Sequence, residues 1–343
     1  MSRVHMTDAG ETYHGQPGPE RSAGRLRRMA RGWGGEDRWR RGWLLAVVAV
    51  ALALALLLHS EVPNAVGNLG SLWETFLPWG GLLVPVLLVG ALIRRSVVAL
   101  VALLVPAIAW LNLFGGLLSD RTGGTGDLTV LTHNVSADNP DPVGTARQLA
   151  ASDADVIALE EVATDRVEVY EKQLAKAYPY HDVQGTVGLW STYPLEDSEH
   201  VDIGMGWKRA LRATVRTPDG EVAVYAAHMP SVRVQFRSGF TAEQRDRSAE
   251  MLGRRIAAEP VHDVVLLGDL NGTMNDRALA PITAQMRSTQ GASGEGMGFS
   301  WPADFPMARI DQIMVRGLEP ESSWTMKGTG SDHLPVAASL NFP

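Results

Sequence analysis

From Leu44 to Leu118 the chain carries only four charged residues, Glu61, Glu74, Arg94 and Arg95. That run rules out a uniformly soluble protein. Trp43–Leu58 is sixteen residues without a charge, reaching roughly 24 Å as a helix against a hydrocarbon core of ~30 Å. A secreted leader would also follow basic residues with an apolar stretch. Here, however, more than forty residues precede it and further apolar segments follow. Phe76–Ile93 and Ser96–Leu118 are those segments, split by Arg94-Arg95. Their prolines, Pro85 and Pro106, are better tolerated in membrane helices than in soluble ones. Trp43, Trp73, Trp79 and Trp110 fall near the ends of the spans, as interfacial aromatics do. The reading is a membrane domain over 43–118 with three spans, about 43–59, 74–93 and 96–118. Two spans or a re-entrant hairpin are the alternatives.

Arginine placement sets the orientation. Residues 1–43 hold nine Arg, no Lys and five acids. This tail and the Arg94-Arg95 turn belong on the cytoplasmic side. Three spans then deliver everything after about residue 119 to the outside of a multi-pass plasma-membrane protein. The tail, 1–42, is rich in Gly and Arg and is expected to be unstructured until its basic end meets anionic lipid.

Ser119–Gly126 (SDRTGGTG) lies in a flexible linker, 119–127, ahead of an outer domain over 128–343. Apolar runs bounded by turn residues recur there. Strands are expected at Leu128–Asn134, Asp155–Leu159, Val264–Leu267, Ile310–Val315 and Pro335–Leu340. A hairpin joins Ala210–Arg216 to Glu221–Ala227 through Pro218-Asp219-Gly220. Helices are expected at Pro142–Ala151, Asp165–Tyr178 and Thr241–Ala258. The chain has no cysteine, which excludes disulfide staples and thiolate zinc sites.

Polar clusters sit at strand ends: Asn134 after LTVLTH, Glu160-Glu161 after DVIAL, and His228 in YAAHMPS. Gly268-Asp269-Leu270-Asn271 follows VVLL, Asp311 opens a strand, and Ser331-Asp332-His333 precedes one. Singly, each reads as a turn, a cap or a structural histidine. Together, the carboxylates of Glu161, Asp269, Asp311 and Asp332, two amides and two imidazoles suit phosphate chemistry on a hard metal. Oxygen donors favour Mg²⁺, with Mn²⁺ as the alternative, and His supplies proton transfer near neutral pH.

The ordered set LTVLTHN, DVIALEEV, YAAHMPS, VVLLGDLNG, ARIDQIMV and SDHLPV resembles the endonuclease/exonuclease/phosphatase superfamily. That resemblance implies an α/β fold, a four-layer α-β-β-α sandwich with its site at one edge, preceded here by the three transmembrane helices. It implies metal ligation by Glu161, with Asn134 and Asp332 on the metal side. It gives Asp269 and Asn271 the alignment of the attacking water and the phosphate. Asp311 orients the catalytic His333, and His228 contacts the scissile phosphate or leaving group. Family members usually carry Gln where Glu160 stands, so Glu160 is expected to add a negative charge beside the metal. Abasic-site endonucleases carry Asn near His228 and an acid at the place of Ser136. The chain therefore looks closer to the phosphatase, sphingomyelinase and DNase-like branches.

Residues 119–343, linker and outer domain together, carry 20 basic and 31 acidic residues, a net −11, with only four Lys. A nucleic-acid surface needs a basic stripe, so no nucleic-acid partner is expected. Arg233, Arg237, Arg245 and Arg247 form the one local basic group. It reads as a solvated helix face or as a grip on a compact head group. Spans that hold the site at the outer leaflet point to a lipid-linked phosphate substrate. The arrangement is similar to the membrane-anchored superfamily members linked to teicoplanin resistance in actinomycetes, which implies undecaprenyl pyrophosphate as substrate. A phospholipid or sphingomyelin phosphodiesterase, a surface nuclease, and a non-catalytic binding module are the other readings. Trp190, Trp207 and Trp301 are read as core packing, with an apolar entrance as the alternative.

Overall fold

The computed structural model describes residues 41–65, 67–235 and 239–343. Most of the basic tail and Arg237 lie outside the described residues, as do the side chains over 233–241. The apolar N-terminal half folds into α1 (Trp43–Leu57), α2 (Leu69–Thr75), α3 (Leu83–Arg94) and α4 (Val97–Phe114). A 3-10 turn over Leu77–Leu82 runs into α3, and a second, Gly115–Leu118, extends α4. Leu77–Arg94 and Val97–Leu118, 18 and 22 residues long, are apolar enough to cross a membrane. The first expected span is the 15-residue α1, shorter than the other two.

Small residues let these helices approach closely: Ala49, Ala91, Ala99 and Leu103 form one buried cluster. The sharp turn at Arg95 (φ 49°) is closed by Ser96, whose hydroxyl oxygen accepts the Ala99 N–H at 3.2 Å. The outward faces remain apolar, with Val86 64% and Ile93 76% exposed, as lipid-facing surfaces are. Three indoles place their N–H groups on backbone carbonyls: Trp73 on Ala55, Trp110 on Pro78 and Trp79 on Met307.

The rest is a four-layer sandwich. One sheet has the order β13 (Glu319–Thr325), β14 (Val336–Asn341), β1 (Leu128–Asn134), β2 (Val156–Glu160), β4 (Val187–Ser191), β3 (Tyr180–Gln184). The other runs β11 (Arg287–Ser288), β12 (Asp311–Arg316), β10 (Asp263–Asp269), β7 (Glu221–Ala227), β6 (Ala210–Arg216), β5 (Leu195–His200). A small hairpin of β8 (Arg233–Gln235) and β9 (Gly239–Thr241) stands apart. Period-2 alternation sorts each strand. Val130, Ala158, Val224, Leu267, Ile313 and Ala338 meet between the sheets. Leu131, Ile157 and Trp190 face outward onto α5 (Pro142–Ala150) and α6 (Val167–Leu174). Val264, Leu266 and Met314 face α7 (Glu243–Ala257) through Ala249, Leu252 and Ile256. Each fully buried Val or Leu contributes about 1.5–3 kcal/mol, so these three apolar layers dominate stability.

The expected linker is pinned. The Arg121 N–H donates to Gly294 and that of Gly123 to Glu321, while the Arg121 guanidinium reaches the Gly291 and Gln290 carbonyls. The two halves are also clamped together. Fully buried Glu74, the acid at the head of the second expected span, pairs with Arg277 of the sandwich at 3.0 Å and with His59 at 3.2 Å.

Candidate active site

Strand direction gathers the polar clusters at one edge. β1 and β2 are parallel, as are β7 and β10, so all four end on the same side. Antiparallel β12, β14 and β6 begin there. Asp269 thereby lies directly opposite Asp311, and Arg209, just before β6, lies beside His228, just after β7. Alternation does the rest. Positions that are apolar between the sheets become polar one step further along. Val130 and Thr132 lead to Asn134, Val156 and Ala158 to Glu160, Val265 and Leu267 to Asp269, and Val224 and Ala226 to His228. The site is the open end of the inner core.

Three connecting residues adopt left-handed backbone immediately beyond these strands: Ser136 (φ 57°), Glu161 (φ 57°) and Asn271 (φ 46°). Asn tolerates this region, whereas Glu and Ser are uncommon in it; such geometry collects at functional sites. At Gly268 (φ 146°) a Cβ would meet the Ala227 carbonyl at 1.9 Å, so glycine is required where β10 closes on β7.

Asp269, buried, is the hub. One carboxylate oxygen accepts the Asn271 N–H at 2.9 Å. The other accepts the side-chain amides of Asn134 at 3.1 Å and Asn271 at 3.2 Å. The Asn134 bond links the two sheets. His228 Nε2 lies 3.7 Å and His333 Nε2 3.9 Å from that second oxygen. Burial, opposed by positive His333, pushes the Asp269 carboxyl above its ordinary range.

His333 Nδ1 sits 2.9 Å from Asp311, whose carboxylate also accepts the Ser300 hydroxyl at 2.6 Å. Burial alone would lower this imidazole; Asp311, joined by Asp269 and Asp332, overrides it and carries His333 to about 10. His228 goes the other way. Burial first, then the Arg209 guanidinium lying against its ring, hold it well below the ordinary range and neutral.

Glu161, partly exposed, lies 3.5 Å from His228 Nε2 and borders the pocket with Asp269, Asn271, Asp332 and His333. Asp332 is exposed at this rim. The pocket encloses about 380 Å³, and its wall also includes Thr75 and Phe76 from the apolar segment over 43–118, and Trp301. Oxygen donors from Glu161, Asn134 and Asp332, with no thiol, fit a hard divalent cation. Among the described residues, Asp269, Asp311 and His333 also bring ligand atoms within 4.8 Å of one another. There, however, Asp311 is already engaged by His333 and Ser300.

Glu160 corrects the expected negative charge. It is wholly buried between the sheets, accepting the Thr132 hydroxyl at 2.8 Å. Desolvation, with Asp311 and Asp269 adding to it, raises its carboxyl well above the ordinary range. A carboxyl pushed towards its neutral form there matches a glutamine side chain in shape and lack of charge. The basic group is corrected at Arg245, whereas Arg247 is exposed and the side chains of Arg233 and Arg237 lie outside the described residues. Arg245 is buried, bonded to Asp276 at 2.7 Å and to the Asn271 carbonyl at 2.6 Å, where it braces the Asp269 loop. Trp190 is core, Trp207 is exposed and Trp301 faces the pocket. Sequence reasoning missed Arg209, Ser300, Thr75 and Phe76. Only the hairpin register, which sets Arg209 beside His228, could have flagged the first.

The family model described as Endonuclease/Exonuclease/phosphatase family matches residues 131–333. No curated protein matches the chain. Among solved structures, a functionally unknown conserved protein from Enterococcus faecalis V583 aligns with TM-score 0.55 at 13% identity, over 63% of this chain and 100% of its own. TDP2 from D. rerio, complexed with a single strand DNA product, aligns at 0.53 and 19% identity, over 62% and 98%. An endonuclease/exonuclease/phosphatase family protein from Bacteroides thetaiotaomicron aligns at 0.53 and 15%, over 64% and 99%. At such identities these likenesses speak to the fold.

Proposed function

This chain belongs to the endonuclease/exonuclease/phosphatase family, and on that footing we propose that it hydrolyses a lipid-linked phosphate at the outer face of the plasma membrane. Membership makes it a metal-dependent hydrolase of phosphoester bonds. The narrower reading is a membrane-anchored lipid phosphatase, with undecaprenyl pyrophosphate as the first substrate to try, tied to cell-wall synthesis and glycopeptide resistance. The observation that supports it is the pocket wall: Thr75 and Phe76, between the membrane helices, border the same cavity as Glu161, Asp269 and His333. A substrate held there touches the membrane-bound half of the chain. The net −11 over residues 119–343 disfavours a nucleic acid.

Glu161, with Asn134 and Asp332, would hold a divalent cation, Mg²⁺ first, and that ion would polarise a phosphoryl oxygen. Asp269, fixed by three amide hydrogen bonds, orients the attacking water and receives its proton. Asn271, whose amide donates to the Met229 carbonyl at 3.0 Å and to Asp269 at 3.2 Å, holds Asp269 in line with that water and the phosphate. The Asp311-held imidazolium of His333 stabilises the charge growing on the phosphoryl oxygens. Neutral His228, with Arg209 behind it, contacts the scissile phosphate or leaving oxygen.

Phosphate release from undecaprenyl pyrophosphate by the full-length protein in detergent, with and without Mg²⁺ and with Asp269→Ala as control, tests this. Release that needs both metal and Asp269 is expected; none from folded, metal-loaded protein would sink the carrier-lipid reading. Phospholipid and sphingomyelin, run in parallel, test the phosphodiesterase alternative, which the same pocket wall serves. Phe76→Ala should raise KM for the lipid and leave hydrolysis of a small soluble phosphoester within about twofold.

A further inference from the structure

A second cavity of about 380 Å³ lies where the end of α4 meets the sandwich, separate from the catalytic pocket although Thr75 borders both. Its wall carries two guanidiniums, Arg121 and Arg309, and no carboxylate. Arg309 is 92% buried, and among the described residues its Nε and one terminal nitrogen have no partner, while the other terminal nitrogen makes a 3.4 Å contact to the Ser288 hydroxyl. The Arg121 Nε is likewise buried and unpaired. Burial, offset in part by Asp311, pushes the Arg309 guanidinium down to about 9. A buried unpaired cation is strongly destabilising, and the natural relief is an anion.

An adjoining apolar cleft of about 290 Å³ shares Pro78, Met297 and Phe299 with this cavity. It continues along Trp110 and Leu118 of the last membrane segment. One ligand class satisfies a buried cationic chamber that opens onto an apolar groove at a membrane boundary. We propose that the cavity binds the phosphate headgroup of an acidic phospholipid, with Arg309 and Arg121 on the phosphate and an acyl chain in the Pro78–Leu118 cleft. The assignment does not depend on which phosphoester the catalytic pocket cleaves. Arg309 lies two residues before Asp311, so an occupied cavity would also brace the strand that holds His333.

The test uses the full-length protein in neutral detergent with Asp269→Ala and no divalent metal, so that turnover plays no part. Its thermal midpoint is followed while phosphatidylglycerol, phosphatidylcholine or inorganic phosphate is added. Phosphatidylglycerol should raise the midpoint saturably, at least tenfold more effectively than phosphatidylcholine. Arg309→Gln should move half-saturation up tenfold or more, and Arg121→Gln about threefold. If Arg309→Gln does not fold, Arg121→Gln decides. Equal response to both lipids, or saturation unchanged in the folded variants, overturns the proposal. A full shift from inorganic phosphate alone overturns the lipid assignment in favour of a free-anion pocket.

Discussion

His333 and His228 flank one carboxylate oxygen of Asp269 at 3.9 and 3.7 Å, both buried, yet their pKa values are pushed in opposite directions. The neighbours decide it. The strand opposite Asp269 supplies Asp311 to His333, whereas the strand beside β7 supplies Arg209 to His228. Desolvation alone would leave both rings neutral. A carboxylate at 2.9 Å overrides it at one ring, and a guanidinium reinforces it at the other. One residue type thus supplies a charged and a neutral ring beside a single carboxylate; on the proposed reading they serve as electrostatic stabiliser and neutral contact, as paired groups divide labour in catalysis.

The largest expected effect comes from removing the charged side. His333→Ala and Asp269→Ala should each lower kcat by about 10²–10⁴-fold, measured as phosphate release with metal present. Unchanged release in either would break the assignment of roles. Asp311→Asn comes next. It leaves His333 in place but withdraws its anion, so the imidazole pKa should fall from about 10 and kcat by about 10²-fold, with the alkaline limb of the pH profile moving to lower pH. The same pair bears on stability. The folded His333 value lies above the ordinary 6.5, so its contribution is complete below about 6.5 and lost as pH rises towards 10. Asp311→Asn should flatten the dependence of the thermal midpoint over that window.

Arg209→Met attacks the other ring. The His228 pKa should rise yet stay below the ordinary range, because burial, the larger cause, remains; imidazole NMR titration reads this directly. A loss in kcat of about tenfold should accompany it. The smallest effect is at Glu160. Its raised carboxyl makes folding less favourable as pH climbs above the ordinary glutamate value. Glu160→Gln should therefore hold activity within about twofold and stabilise the protein at neutral and alkaline pH. The gain approaches about 1.4 kcal/mol per pH unit across that window. A Gln variant less stable than wild type at pH 8 would show that Glu160 is ionised.

Strands inside the sheets, Val187–Ser191 excepted, were legible because their apolar runs are long and end in turn residues. Leu128–Asn134 and the Ala210–Ala227 hairpin match residue for residue. The edge strands Tyr180–Gln184, Leu195–His200 and Glu319–Thr325 were not. Their side chains are mostly polar and, apart from buried Ser322 and Ser323, exposed or half-buried, so pairing with a neighbour, not propensity, makes them strands. The eight site residues were legible as strand-end polar clusters and through the family resemblance they carry. Their convergence at one edge follows from the parallel pairing of β1 with β2 and β7 with β10.

By itself the sequence determined where the chain is apolar enough for lipid, which strands are central and which polar residues end them, because each is a local property of composition and period. Tertiary structure alone decided the charge of Glu160, His228 and His333, the bracing of Asn271 by Arg245, and the membrane-side wall of the pocket. Those depend on desolvation and on partners far apart in the chain, such as Arg277 on Glu74 and Asp311 on His333, and no local pattern encodes them.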